Sequence, residues 1–376
     1  MTTSTPGYWR PGDDPGEREF VNLRGEHESG FTFEGGGHLA AVTVAYETWG
    51  TLNAERSNAV LVLHALSADS HAVGDVGPGH PAPGWWNGLI GPGLALDTNE
   101  FFVVCSNVLG GAQGTTGPSS LDENGQPYGS RFPVISVRDQ VTVEVDLADH
   151  LDIAAWHAVV GGSMGGMRAL EWAVGYPSRV RNAVVLAVGA ASTADQIAQS
   201  SFQVRTIRAD PHFLGGDYYE SGATPDEGLA IARGLGHITY RSSSEFDARF
   251  GRASQDETDP LHGGLYAIES YLAYQGEKLV RRYDANSYVV LSEAMNHHDV
   301  GRGRGGVAAA LGAIESQVTV IGIDSDRLYP LRLQEEIVRV TPTAQPLFVI
   351  SSPVGHDGFL LEVDQIGKII QAALHE

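Results

Sequence analysis

The chain has 376 residues, with 46 acidic side chains against 24 Lys and Arg and a formal net charge of −22. That field repels nucleic acid and anionic membranes at long range. The lone cysteine, Cys105, excludes an intrachain disulfide, and no apolar stretch reaches the roughly 18 residues that a transmembrane helix needs.

Positive charge is almost all arginine, since Lys278 and Lys368 are the only lysines. An anionic substrate would therefore need a local arginine cluster. The opening stretch MTTSTPGYWRPGDD has no apolar core, so no signal peptide is expected and the default location is cytoplasmic.

Residues 1–35 are polar and Gly-rich and read as a loose start. Ala40–Thr48 alternates and predicts a strand at a sheet edge. Six continuous apolar runs follow, each bounded by turn residues: Ala59–His64, Phe101–Ser106, Ala154–Val160, Ala183–Val188, Val318–Ile323 and Pro346–Ser351. Such runs are the mark of parallel strands buried on both faces. Cys105 lies in the second and is expected to pack in the core.

Helical spacing covers Val137–Leu151, Gly166–Gly175 and Val363–Leu374. Alternating strands and helices predict an α/β architecture, a mostly parallel sheet with helices on both faces. The rhythm breaks between residues 192 and 310. There the helical patches are Thr193–Arg208, Asp226–Leu235 and Tyr266–Tyr283. The expected organisation is a first core part over 35–191, a helical lid inserted over 192–310, and a second core part over 311–376.

One turn carries chemistry. Gly161-Gly162-Ser163-Met164-Gly165 stands between a strand and a helix and contains G-x-S-x-G. A nucleophile on so sharp a turn needs small neighbours, and the turn exposes the hydroxyl. The backbone N–H of Met164, at the helix start, then faces a developing oxyanion.

A serine needs a base and an orienting acid. In chain order these follow as acid and then histidine, each after a late strand. Asp324 and Asp326 both follow Val318–Ile323, and Asp326 lies far enough into the loop to reach across. His356 follows the last strand. A second oxyanion donor is expected from the loop after the first buried strand, at the N–H of Leu66. The preceding His64 reads as structural.

These features resemble the α/β-hydrolase fold. The longer motifs resemble one family within it, the homoserine O-acetyltransferases. They are LHALSADSH (63–71), GWWNGLIGPG (84–93), SNVLGGAQGTTGPSS (106–120) and GGSMGGMRALEWA (161–173), then HITYRS (237–242), NHHDVGRGRGG (296–306), DSDRLYP (324–330) and GHDGFLLE (355–362). The resemblance runs from about residue 35 to the end.

It implies a ping-pong transfer of acetyl from acetyl-CoA to L-homoserine in methionine biosynthesis. Ser163 would be the nucleophile, His356 the base and Asp326 the acid. Arg233, Asp357 and Tyr240 are the implied substrate contacts. No metal and no cofactor beyond the acyl-CoA substrate is implied, and the expected assembly is a homodimer built through lid helices.

There are departures. The chain has HALSADSH where many relatives carry a Thr-Gly pair after His-Ala-Leu, with Ser67 keeping a hydroxyl, and Gly234 stands where relatives often carry a second Arg. Succinyl transfer, serine as acceptor, and simple ester hydrolysis remain compatible with the same triad. Arg302 and Arg304 are candidates for CoA phosphates or for local ion pairs. The adjacent His297 and His298 are not expected to chelate one ion.

Overall fold

The computed structural model describes residues 7–25 and 29–375. Its centre is an eight-stranded sheet. In chain order the strands are β1 (Glu19–Leu23), β2 (Val42–Trp49), β3 (Ala59–Leu63), β4 (Phe102–Ser106), β5 (Trp156–Gly162), β6 (Val180–Leu186), β7 (Gln317–Ile323) and β8 (Phe348–Ile350). Their spatial order is β1-β2-β4-β3-β5-β6-β7-β8. β2 runs antiparallel to both its neighbours, and all the other pairings are parallel. All five residues of β3 are buried, as a central parallel strand requires.

The apolar runs anticipated these strands to within a few residues, with two corrections at the start of the chain. Glu19–Leu23, inside the stretch read as loose, is the edge strand β1. Ala40–Thr48, expected at the edge, becomes β2 and is covered by β1. Residues 1–6 and 26–28 of that stretch lie outside the described residues.

Helices α1 (Val137–His150) and α2 (Met164–Gly175) pack together beside the central strands. Ser136 and Asp139 close a reciprocal capping box at the start of α1, an arrangement typically worth about 1 kcal/mol. A buried ion pair ties α1 to α2. Arg168 reaches Glu144 at 2.6 Å, and the Trp172 indole donates to the other carboxylate oxygen at 2.8 Å.

The stretch expected to form a lid, residues 192–310, holds α3 (Ala194–Ala209), α4 (Asp226–Tyr240), α5 (Ser243–Phe250), α6 (Ala267–Val280) and α7 (Ala285–Asn296). α4 lies between α3 and α6, and α3 also packs on α7. Helices α5 and α7 were not anticipated. α7 buries residues around most of its circumference, so it shows no amphipathic stripe. α8 (Val307–Gly312) straddles the expected lid boundary at 310 and packs on α9 (Arg332–Val340). The chain closes with a short helix α10 (Gly358–Leu361) and with α11 (Val363–Leu374). Among the described residues, no helix is long and apolar enough to cross a membrane.

Candidate active site

The backbone of the G-x-S-x-G turn is as tight as its glycines imply. Ser163 sits at φ 57° and ψ −124° between β5 and α2, a region that costs a non-glycine residue on the order of 1–3 kcal/mol. A Cβ on Gly165 would stand 1.9 Å from the Leu63 carbonyl oxygen. One on Gly161 would stand 2.4 Å from the Gly165 backbone. Both positions therefore exclude any side chain. Ser163 itself is held by its N–H, which donates to the Leu186 carbonyl at 3.0 Å.

The chain ends of β7 and β8 bring two more side chains to this turn. His356 Nε2 lies 2.8 Å from Ser163 Oγ, and its Nδ1 lies 2.6 Å from Asp326 Oδ2. The other Asp326 oxygen accepts the N–H groups of Leu328 and Tyr329, both at 2.8 Å, so the carboxylate cannot swing away. Asp324 instead accepts the Ser352 N–H at 3.0 Å and joins the two strand ends without touching the histidine. With Nδ1–H committed to Asp326, Nε2 is the acceptor for the serine proton.

All three side chains are buried. Burial alone would lower the His356 pKa, but the charge and hydrogen bond of Asp326 outweigh it and raise the pKa above the usual histidine value. The ring lies between Tyr329, at 5.1 Å and nearly parallel, and the edge-on ring of Phe359 at 5.3 Å. Tyr240, from the end of α4, lies 6.2 Å away.

Of the two expected oxyanion donors, Met164 opens α2 and Leu66 lies in the loop after β3. Leu66 and Met164 belong to one apolar cluster with lid residues such as Tyr283 and Tyr288. Met164 N–H is in the first turn of α2, where helix donors lack intrahelical partners. His64 is structural, as its place on the strand end suggested. Its Nδ1 donates to the Ala65 carbonyl at 2.8 Å and its Nε2 accepts the Val108 N–H at 3.0 Å. Burial and the nearby Arg168 charge push its pKa down to about 3, so it stays neutral.

A small cavity beside the triad is lined by Leu66, Gln203, Tyr240, Met295, Leu328 and Tyr329, among others. It is walled by both the lid and the core loops. Arg233 of α4 donates to Ser67 Oγ at 3.2 Å and lies 5.4 Å over the Tyr240 ring. Among the described residues it makes no ion pair. Asp357 differs from expectation in one respect. It is already paired, at 3.3 Å, with Arg241, which also binds Glu245 at 2.9 Å. Arg249 also reaches Glu245, at 3.5 Å, so the cluster sets two carboxylates against two guanidiniums.

Other candidates resolve into structure. Arg302 pairs with Glu34 at 2.7 Å, and Arg304 grips Glu171 through both terminal nitrogens. Both therefore sit in local ion pairs. His298 is buried on the Gly189 carbonyl at 3.1 Å and is pushed down to about 4 by burial. Trp86 is buried and donates to the Phe359 carbonyl at 3.2 Å, while Trp85 donates to Asp69 at 2.9 Å. Cys105 is buried in β4.

One cluster was not anticipated from the sequence. Glu47, His71 and His80 are the only grouping of three potential metal-binding side chains among the described residues. The two rings, however, stack at 3.7 Å and 15°. Ring nitrogens bind metals in the ring plane, so these lone pairs run side by side and do not converge. His71 instead donates to Glu47 at 2.9 Å.

The match to known proteins is extensive. A family model for the α/β-hydrolase fold covers residues 58–363. A homoserine O-acetyltransferase of Thermobifida fusca (strain YX) is 56% identical over 369 residues, 98% of this chain and 96% of that protein. The crystal structure of a homoserine O-acetyltransferase from Bacillus anthracis superimposes with a TM-score of 0.87 at 30% identity, covering 96% of this chain and 97% of that one. The crystal structure of esterase E22 superimposes with a TM-score of 0.86 at 28% identity, covering 95% and 99%. With this turn, this strand order and this likeness over nearly its whole length, the chain belongs to the homoserine O-acetyltransferase family of α/β-hydrolase-fold enzymes.

Proposed function

We propose that the protein transfers acetyl from acetyl-CoA to the hydroxyl of L-homoserine through an acetyl-Ser163 intermediate. Ser163 Oγ attacks the thioester carbon while His356 Nε2 takes its proton. The tetrahedral oxyanion is received by the N–H groups of Leu66 and Met164. The thioester bond breaks as His356 protonates the departing CoA sulfur. The homoserine hydroxyl then gives its proton to His356 and attacks the acetyl carbon. Ser163 leaves with that proton, and O-acetyl-L-homoserine is released. Asp326 holds the ring and stabilises the imidazolium in both halves.

The observation that carries the acceptor assignment is Arg233, a guanidinium without a carboxylate partner among the described residues, on the lid side of a serine–histidine–aspartate relay. It suits the homoserine carboxylate. The Asp357 carboxylate, next in sequence to His356, suits the ammonium, and Tyr240 lies under the Arg233 guanidinium. No metal or further cofactor enters this reading.

The reaction would serve methionine biosynthesis in the cytoplasm. The partner in assembly is a second copy, joined through the lid, where Phe202 of α3 and Ile231 of α4 expose apolar surface around one groove.

The likeness to esterase E22 supports a second reading, with water as acceptor. Free CoA release from acetyl-CoA, followed with and without homoserine, separates the two. Transfer requires homoserine to accelerate steady release, and release indifferent to homoserine would establish hydrolysis. Donor and acceptor choice are read from kcat/KM for acetyl-CoA against succinyl-CoA and for homoserine against serine. Preference for succinyl-CoA or for serine would overturn the corresponding half of the assignment.

A further inference from the structure

The loop after β3 carries Leu66, and four successive carbonyls of this loop are each held by a buried or half-buried side chain. Arg168 of α2 donates to His64 O at 2.5 Å. His64 Nδ1 donates to Ala65 O at 2.8 Å, and the Ala68 N–H meets the same oxygen at 3.1 Å. Tyr283 Oη–H donates to Leu66 O. Arg282 Nη1 donates to Ser67 O at 2.7 Å. Two of the four donors come from the core side and two from the lid, in the link between α6 and α7.

Peptide planarity gives these bonds a consequence. In a trans peptide the N–H points opposite to the preceding C=O. Fixing Ala65 O therefore fixes the direction of the Leu66 N–H. Fixing Leu66 O and Ser67 O immobilises the next two planes, so the loop cannot flip by a concerted rotation about the Leu66 φ and ψ.

The lid donors are themselves anchored. The Arg282 carbonyl accepts the Gln113 side chain at 2.9 Å. Asp284 caps α7 through the Ser287 N–H at 2.8 Å and accepts the Tyr218 and Tyr219 hydroxyls at 2.5 and 3.0 Å. Tyr283 is buried and its phenol pKa is raised by that burial, so it remains a donor across the working pH range.

We propose that Tyr283 and Arg282 are positioning residues of the oxyanion hole: their hydrogen bonds to Leu66 O and Ser67 O lock the two peptide planes that follow the Leu66 N–H, so that the direction set at Ala65 O is kept toward the reacting carbonyl. This rests on Ser163 as nucleophile and is independent of the acceptor's identity. The lid then has two separate duties. α4 recognises the acceptor through Arg233, and the α6–α7 link completes the site's electrostatics.

The test uses full-length Tyr283→Phe and Arg282→Met. The first removes a single oxygen atom. The probe is a p-nitrophenyl alkylphosphonate, which phosphonylates Ser163 with release of p-nitrophenol and places a P=O oxygen in the hole without any need for CoA or homoserine. Pre-steady-state acetylation by acetyl-CoA is measured alongside, with the folded fraction set by circular dichroism. Losing an oxyanion donor outright costs about 100- to 1,000-fold, and misaiming one should cost about 10- to 100-fold in both reactions. KM for the acyl donor should stay within about twofold of wild type.

Wild-type rates in both folded variants would overturn the proposal. So would unfolding of both variants, since the bonds would then serve stability. Failure of the wild type itself to take up the phosphonate would overturn the nucleophile assignment along with it.

Discussion

The nucleophile turn and the lid solve opposite problems. The turn is made by backbone crowding within a few residues: Gly161 and Gly165 are glycines because a Cβ would collide with main-chain atoms. The lid acts through long side chains that reach backbone far away in sequence. Tyr283 touches Leu66 across 217 positions and Arg282 touches Ser67 across 215. The nucleophile's turn is thus set by local constraint, whereas the loop that carries Leu66 is held from a distance. Damage to the two regions should look different in kinetics.

The largest effect is expected in the core relay. Asp326→Asn should leave the fold intact and lower kcat by roughly 1,000- to 10,000-fold, because the imidazole loses its preferred tautomer and its counter-charge. The pH profile sharpens this. His356 must be neutral to accept the serine proton, and its pKa is raised. The acid limb of wild-type kcat/KM should therefore have its midpoint above the ordinary histidine value, near 6.5. In Asp326→Asn that midpoint should move down. An unmoved limb would place the titration on another group.

Next comes the pillar under the turn. Arg168→Met would strand Glu144, which is buried and whose pKa burial already raises. Chemical denaturation should show a loss of about 3–5 kcal/mol, with activity per folded molecule reduced because His64 O loses its donor. A loss below about 1 kcal/mol would mean that the ion pair is not what joins α1 to α2.

The lid lesion should be smaller and of another kind. Arg233→Met should raise the homoserine KM by about 10- to 100-fold, the worth of a charge-assisted hydrogen bond. Acetylation of Ser163 by the donor alone should remain near wild type. A fall in acetylation with an unchanged homoserine KM would reverse the division of labour between lid and core.

The smallest effect is on stability against pH. His64, His237 and His298 are held neutral in the fold, with pKa values pushed down mainly by burial to about 3, about 3 and about 4. Below about pH 6.5 the unfolded chain binds protons that the folded chain refuses, so stability should fall as pH drops from 7 to 5. His71 and His356 have raised values, and their stabilising contribution is full below about 6.5 and lost as pH rises through the folded pKa. Denaturation midpoints at pH 7 and pH 5 read the difference, and a higher midpoint at pH 5 would contradict it.

The contrast between the two regions also explains what could be read from the sequence. Ser163, Asp326 and His356 stand at strand ends, and a strand buried on both faces is visible as an apolar run. Their order along the chain pointed to Ser163 and His356 and left Asp324 beside Asp326 as the acid, and the structure brings Ser163, His356 and Asp326 into hydrogen-bonding contact. β1 was missed because Glu19–Leu23 is mostly exposed and carries no continuous apolar run. α7 was missed for the opposite reason, since burial around it erases the helical stripe.

The partners of Asp357, Arg302 and Arg304 were out of reach. An ion pair such as Arg302–Glu34 joins residues 268 positions apart, and no local pattern records it. The acceptor-side residues were legible only through likeness to a family. Arg282 and Tyr283 carry no motif at all and emerge from the fold alone.

The central claim is that Ser163 carries an acetyl group between CoA and homoserine. Rapid mixing with acetyl-CoA, acid quenching and intact-mass and peptide analysis test it directly. One acetyl group per chain is expected on Ser163, formed without homoserine, persisting in water, and cleared within the mixing time when homoserine is added. Absence of acetyl on Ser163, or clearance at the same rate with and without homoserine, would contradict it.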